Sequence, residues 1–183
     1  MHNFGARFCA MALFTSKERT AFATVGTTQF DVLITTLLAD DVLQLFAKHG
    51  YTRLLLQVGR GAEPVVPESP PLRVEWYRFK DTLSTDMAEC ALLISHAGAG
   101  SIVEGMKLRK LLLVVVNDQL MHNHQEELAH ALADEKHLIA TTPGKLREQL
   151  QPLLERPPTL VPYQEADATL FPRFLNGVLG LTS

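Results

Sequence analysis

The chain has little of what several classes of protein require. It contains two cysteines, Cys9 and Cys90, which form neither a disulfide framework nor a CxxC metal pattern. This scarcity is typical of proteins from a reducing compartment. No apolar run approaches the roughly 20 residues of a membrane span. The formal net charge of −3 argues against a basic nucleic-acid-binding face.

Two sequence motifs are also missing. No GxGxxG follows the first predicted strand, which argues against a dinucleotide-dependent oxidoreductase. No acidic DxD motif is present that could hold a metal ion. His122 and His124 flank one residue, a spacing that suits neither a helical pair nor a usual zinc set. We therefore expect no metal ion and no other cofactor.

Apolar segments alternate with segments of helical spacing from residue 21 onward. The predicted strands are 21–25, 54–58, 72–77, 91–94, 111–116 and 137–141, and the predicted helices are 30–48, 101–108, 123–134 and 146–154. Continuous apolar strands between helices are typical of a parallel sheet covered on both faces. The sequence therefore predicts an α/β, Rossmann-like domain over residues 21–156.

The two ends of the chain differ from this domain. Residues 1–20 contain a seven-residue apolar run (8–14) at the lower limit for a signal peptide, without a clear cleavage site, so we expect a disordered or loosely attached extension. Residues 157–183 begin with prolines and then carry apolar residues at helical spacing. They predict a helix with one apolar face, which either packs on its own sheet or docks on a partner.

A glycine-rich turn at residues 96–101 separates a predicted strand from a predicted helix. This layout points backbone N–H groups and the positive end of a helix dipole at an anion. Gly98 and Gly100 let the main chain approach a phosphate, while Ser101 caps the helix and offers a hydroxyl. Glu104 is placed to accept hydrogen bonds from a sugar diol, although Ser101-x-x-Glu104 is also a capping box. The turn predicts a nucleotide-sugar site.

With residues 24–31 before it and residues 117–118 and 124–129 after it, this motif resembles the donor-binding half of GT-B glycosyltransferases. Within them it is similar to the donor-binding subunits of eukaryotic UDP-N-acetylglucosamine transferases acting on dolichol-linked GlcNAc. The resemblance covers roughly residues 21–140, with the motifs in the family's order and spacing. A complete GT-B enzyme has two Rossmann-like domains, so the resemblance implies that this chain is the carboxyl-terminal half.

The resemblance also implies a reaction and a partner. GlcNAc passes from UDP-GlcNAc to dolichyl-diphospho-GlcNAc with inversion, the second step of lipid-linked oligosaccharide synthesis for N-glycosylation. A separate membrane-anchored acceptor-binding subunit completes the enzyme, supplies the general base and recruits this cytoplasmic chain to the cytosolic face of the endoplasmic reticulum. The family's carboxyl-terminal helix joins the two subunits. The alternative is a stand-alone uridine-nucleotide-binding regulatory domain without transferase activity.

The resemblance assigns roles to particular residues. Glu104 binds the ribose hydroxyls, His96 contacts the diphosphate, Phe79 lies over uracil, and Gln125 contacts the donor sugar with His124 beside it. The full candidate set is Gly26, Thr27, Thr28, Phe79, His96, Gly98, Ala99, Gly100, Ser101, Glu104, His124 and Gln125. Plainer interpretations remain for three of these features: a packed strand-end histidine at 96, a core phenylalanine at 79, and an ordinary turn with a threonine cap at 26–28.

Overall fold

The structure, a computed structural model, describes residues 18–117 and 124–163, with the side chains of 124–126 left out. This part of the chain forms six strands and six helices. In chain order they are β1 (Thr20–Thr24), α1 (Asp31–Leu37), α2 (Asp40–Lys48), β2 (Arg53–Gln57), β3 (Arg73–Tyr77), α3 (Ser84–Glu89), β4 (Leu92–His96), α4 (Ala99–Lys107), β5 (Leu111–Val115), α5 (His124–Asp134), β6 (Ile139–Thr141) and α6 (Pro143–Glu155). Each of the six predicted strands overlaps one of these strands.

The strands form one sheet in the order β3-β2-β1-β4-β5-β6, and every pair is parallel. The chain builds β1, β2 and β3 outward in one direction, then returns to place β4 on the other side of β1. The strand order therefore reverses between β1 and β4. In open parallel sheets, ligands bind in the crevice beyond the carboxyl ends of the strands at this reversal.

The sheet is covered by helices on both faces, as predicted. One apolar cluster joins the sheet to α1, α2 and α6, through residues such as Leu33, Val42 and Leu150. The second joins the opposite face to α3, α4 and α5, through Met87, Ile102 and Ala129. All five residues of β1 are buried, because a central parallel strand has a helical layer on each side.

The structure differs from the predicted helices in two places. The predicted helix 30–48 is two helices, because Ala39 is extended (φ −62°, ψ 136°) and precedes a new helix whose first turn carries Asp40 and Asp41. Two carboxylates in the first turn stabilise the start of a new helix at this point, because they interact favourably with the positive end of the helix dipole. Helix α3 is absent from the prediction. It has six residues and buries only Met87, so it contains too few apolar residues to show a helical period in the sequence.

Several predictions from the sequence lie outside the described residues. They include the extension before residue 18, the positions Asp118 and His122, and the partner-docking helix expected at about residues 169–181. The described start of the tail follows α6 without forming a helix. Val161 N donates to Lys136 O at 2.9 Å, and the ring nitrogen Nδ1 of His137 lies 2.8 Å from Val161 O. Among the described helices, none combines the length and apolarity needed to cross a membrane.

Helix α4 approaches the sheet closely at Gly105, where a Cβ would lie 2.7 Å from Leu93 Cδ2 and 3.3 Å from Leu112 Cδ2. Both leucines are fully buried. We predict that Gly105→Val lowers the free energy of unfolding by about 1–3 kcal/mol through overpacking. The matched control is Gly100→Val in the same helix, where a Cβ meets nothing within 4 Å and the change should stay within about 0.5 kcal/mol. Urea unfolding measures both; equal losses would contradict the close helix–sheet contact.

Candidate donor-binding site

The turns after β1 and β4 meet at the point where the strand order reverses. The imidazole of His96, the last residue of β4, lies between glycines from the two turns. A Cβ on Gly26 would lie 2.7 Å from His96 Cε1, and a Cβ on Gly98 would lie 2.4 Å from His96 Nε2. Gly26 also has φ +61°, a conformation that side chains disfavour. Both positions therefore need glycine for the ring to occupy this place.

The protonation state of His96 follows from its surroundings. Its Nδ1 lies 3.3 Å from Thr24 O, and a carbonyl only accepts, so this nitrogen carries the proton. Burial lowers the pKa of His96, which keeps the ring neutral near pH 7 and leaves Nε2 as an acceptor. An adjacent anion has the opposite effect, because it favours the charged imidazolium. A diphosphate bound here would raise the pKa and turn Nε2 into a donor.

Gln57, at the end of β2, holds the turn after β1 in place. Its Oε1 accepts from Gly26 N at 2.9 Å and from Thr24 Oγ1 at 2.5 Å. Its Nε2 donates to Gly26 O at 2.8 Å and to Arg78 O at 2.6 Å. The residue is 2% exposed and its amide is fully hydrogen-bonded, so it ties three neighbouring strands together at their carboxyl ends. No sequence pattern had indicated a role for this residue.

The hydroxyl of Thr28 closes the β1 turn on itself. It donates to Val25 O at 2.8 Å, and α1 begins without a side-chain cap, so the threonine-cap interpretation is wrong. The loop after β2 packs against this turn: a Cβ on Gly59 would lie 2.4 Å from Thr28 O, and Arg60 N donates to that oxygen at 3.0 Å. Thr27 remains exposed at the edge of the sheet.

Helix α4 presents an open N-terminus at this edge. It begins at Ala99, with Gly98 as the N-cap residue and no side-chain hydrogen bond to the cap. The prediction that Ser101 caps the helix is therefore wrong, since Ser101 lies inside the first turn. The first-turn N–H groups of a helix have no intrahelical acceptors. Gly100 is exposed with open space above it, which leaves room for an anion.

Glu104 is one turn further along α4 and is partly buried. Because Ser101 is not the N-cap residue, the alternative of a Ser101–Glu104 capping box is wrong. The carboxylate instead accepts a hydrogen bond from Ser84 Oγ on α3. This places a carboxylate of α4 against the start of a second helix, which spacing along the sequence could not indicate.

The loop between β3 and α3 carries Phe79, whose side chain is 54% exposed. The alternative that Phe79 is a core residue is therefore wrong. The loop is held around it by Lys80, whose Nζ lies 2.7 Å from Asp86 Oδ2 and 4.2 Å from the centre of the Tyr77 ring. Tyr77 OH donates to the same carboxylate at 2.5 Å, and burial with this hydrogen bond raises the Tyr77 pKa. An exposed aromatic ring on a loop that is held in place by these contacts offers a flat apolar surface on which a nucleobase can stack.

The structure thus brings most of the predicted set to one edge of the sheet. The side chains of two members, His124 and Gln125, lie outside the described part of the chain. The contact with the donor sugar that is expected of them therefore stays a prediction. Within the residues that the structure describes, no group of three or more His, Cys, Asp or Glu side chains is arranged to hold a metal ion.

Comparison with known proteins gives the chain's relatives. Residues 20–176 match the glycosyltransferase family 28 C-terminal domain. The chain is 50% identical over 127 residues to the UDP-N-acetylglucosamine transferase subunit ALG13 of Mus musculus, covering 67% of this chain and 10% of that protein. It is 30% identical over 179 residues to the ALG13 subunit of Saccharomyces cerevisiae, covering 74% of this chain and 89% of that protein.

Solved structures agree with this assignment. The solution structure of ALG13 superposes with a TM-score of 0.61 at 26% identity, covering 87% of this chain and 96% of that one. MurG from Acinetobacter baumannii shares the fold alone, with a TM-score of 0.57 at 17% identity and 41% of its length covered. The matched region spans only 10% and 12% of the mouse and human relatives. The chain belongs to the glycosyltransferase family 28 C-terminal domain family, the Rossmann-like carboxyl-terminal half of the GT-B fold, and is homologous to the ALG13 subunits.

Proposed function

We propose that the chain is the donor-binding subunit of a two-subunit GlcNAc transferase. With a membrane-anchored acceptor-binding subunit, it transfers GlcNAc from UDP-GlcNAc to dolichyl-diphospho-GlcNAc. The observation that carries the proposal is the site at the strand-order reversal, where His96, the open N-terminus of α4 and Glu104 lie together. The names of the relatives, subunits of a UDP-N-acetylglucosamine transferase, support the same donor and imply a second subunit.

Each part of the site suits one part of the donor. The exposed ring of Phe79 covers uracil, and the carboxylate of Glu104 accepts hydrogen bonds from the ribose hydroxyls. The diphosphate lies against the free N–H groups at the start of α4, where the helix dipole favours negative charge. His96 becomes protonated as the anion binds and then donates from Nε2, the nitrogen beside Gly98.

The main demand on catalysis is the charge that builds on the leaving UDP. Preorganised N–H donors and an imidazolium stabilise that charge without a metal ion. A general base must also activate the acceptor hydroxyl, and none of the candidate residues has that role. We assign the base to the acceptor-binding subunit, which faces this edge of the sheet across the cleft. Inversion at the anomeric carbon follows from direct attack opposite the leaving group.

In this proposal the partner subunit also determines where in the cell the chain acts. The chain is cytoplasmic and is held at the cytosolic face of the endoplasmic reticulum by the membrane-anchored subunit. The tail after residue 163, with its apolar stripe, is the segment we assign to that contact. The reaction is then the second step of lipid-linked oligosaccharide synthesis.

The first prediction from this proposal concerns the isolated chain. It should bind UDP-GlcNAc weakly and transfer no GlcNAc, because half of the cleft and the general base are absent. Adding the acceptor-binding subunit in membranes should restore transfer, measured with radiolabelled UDP-GlcNAc and dolichyl-diphospho-GlcNAc. Nucleotide binding without transfer under any pairing would favour the regulatory-domain alternative, and robust transfer by the chain alone would overturn the two-subunit proposal.

The second prediction concerns Glu104. Glu104→Ala should weaken UDP-GlcNAc binding by about 2–4 kcal/mol, since hydrogen bonds to a charged acceptor are lost. Its melting temperature should barely change, because Glu104 caps no helix. The control is Glu89→Ala, which removes an exposed carboxylate at the opposite edge of the sheet and should leave binding unchanged. Calorimetric titration and thermal melting measure the two effects; a lower melting temperature with normal binding would contradict the ribose role.

The third prediction concerns metal ions. Transfer by the two-subunit complex should continue in excess EDTA, because fixed N–H donors and His96 provide the positive charge. The rate with and without chelator is the measurement. Complete loss that is restored by Mn²⁺ or Mg²⁺ would show that a metal ion neutralises the diphosphate instead.

A further inference from the structure

A chain of hydrogen bonds leads from the β3–α3 loop to Glu104. Thr82 Oγ1 donates to Ser84 Oγ at 3.0 Å, and Ser84 Oγ donates in turn to Glu104 Oε1. Ser84 N also donates to Thr82 Oγ1 at 3.2 Å. The direction of the second bond is fixed, because an ionised carboxylate only accepts. The Ser84 hydroxyl therefore has both a donor and an acceptor assigned.

Ser84 belongs to a segment that is anchored at both ends. Two residues further on, Asp86 binds Tyr77 OH and Lys80 Nζ. At the far end of α3, Lys110 Nζ donates to Ala88 O and to Cys90 O, the latter at 2.9 Å. The hydroxyl that reaches Glu104 is thus presented from a fixed backbone.

This contact limits what Glu104 can do. A free glutamate side chain samples several rotamers, and a ligand that needs one of them must overcome that entropy. The hydrogen bond from Ser84 occupies one of roughly four lone-pair positions on the carboxylate and leaves the others available. A carboxylate held before the ligand arrives binds a diol more tightly than a mobile one.

We infer that Ser84 is a positioning residue that orients the Glu104 carboxylate for the ribose diol and so favours ribonucleotides over 2′-deoxyribonucleotides. The inference rests on the proposed function of Glu104 as the ribose-binding group. It assigns Ser84 no contact with the donor. Its effect on binding must therefore pass through Glu104, and it must be larger for a nucleotide with both ribose hydroxyls than for one that lacks the 2′-hydroxyl.

The experiment measures binding of UDP and 2′-deoxy-UDP to the full chain by calorimetry. We expect Ser84→Ala to weaken UDP binding about three- to tenfold, a size typical of coupled neighbours. The effect on 2′-deoxy-UDP should be smaller, and Ser84→Thr, which keeps the hydroxyl, should restore the wild-type preference. In a Glu104→Ala background, Ser84→Ala should have no further effect. Thr85→Ala, at the next exposed position of α3, is the matched control and should change neither affinity.

A second variant keeps the test valid if Ser84→Ala folds poorly. Ser84→Asp places a carboxylate in the first turn of α3, where the helix dipole favours it, while repelling Glu104. It should lower the preference for UDP over 2′-deoxy-UDP at least as much. Additive effects of Ser84→Ala and Glu104→Ala, or an unchanged preference, would overturn the role of Ser84 and leave the donor site intact. If the wild-type chain binds no UDP, the proposed function and this inference both fail.

Discussion

The site depends on one buried amide. Gln57 is 2% exposed and makes four hydrogen bonds. Through them it fixes the position of the turn after β1 and of the backbone at Arg78. If this amide moved, Gly26 would lose two of the hydrogen bonds that hold it against the ring of His96, and the loop carrying Phe79 would lose one of its attachments to β2, at Arg78 O. A buried polar group that is fully satisfied stabilises one arrangement, because any other leaves donors or acceptors unpaired.

The features that sequence reasoning found are those contained within a short stretch. The strand, glycine turn and helix around residues 92–107 are adjacent along the chain, so the sequence pattern predicts all three directly. Their order also predicts that the helix begins at the carboxyl edge of the sheet. Even there, the position of the cap was wrong by three residues, because nothing in the sequence distinguishes Gly98 from Ser101 as the residue that opens the helix.

What sequence reasoning missed depends on residues distant along the chain. Gln57 acts on Gly26, 31 positions away, and Ser84 acts on Glu104, 20 positions away. The only sequence signal for Gln57 is that it is a polar residue in an apolar strand. Ser84, at the start of a six-residue helix, has no such signal in the sequence. The break in the predicted helix 30–48 had a usable signal in Asp40 and Asp41, since paired carboxylates favour the first turn of a helix over its middle.

The attachment of Val161 beside Lys136 and His137 has a consequence for access to the candidate donor site. These residues precede β6, so the described tail ends at the amino edge of the sheet, while the donor site lies at the carboxyl edge. The described part of the tail thus leaves the carboxyl edge of the sheet uncovered, and a nucleotide can approach that edge without displacing this segment.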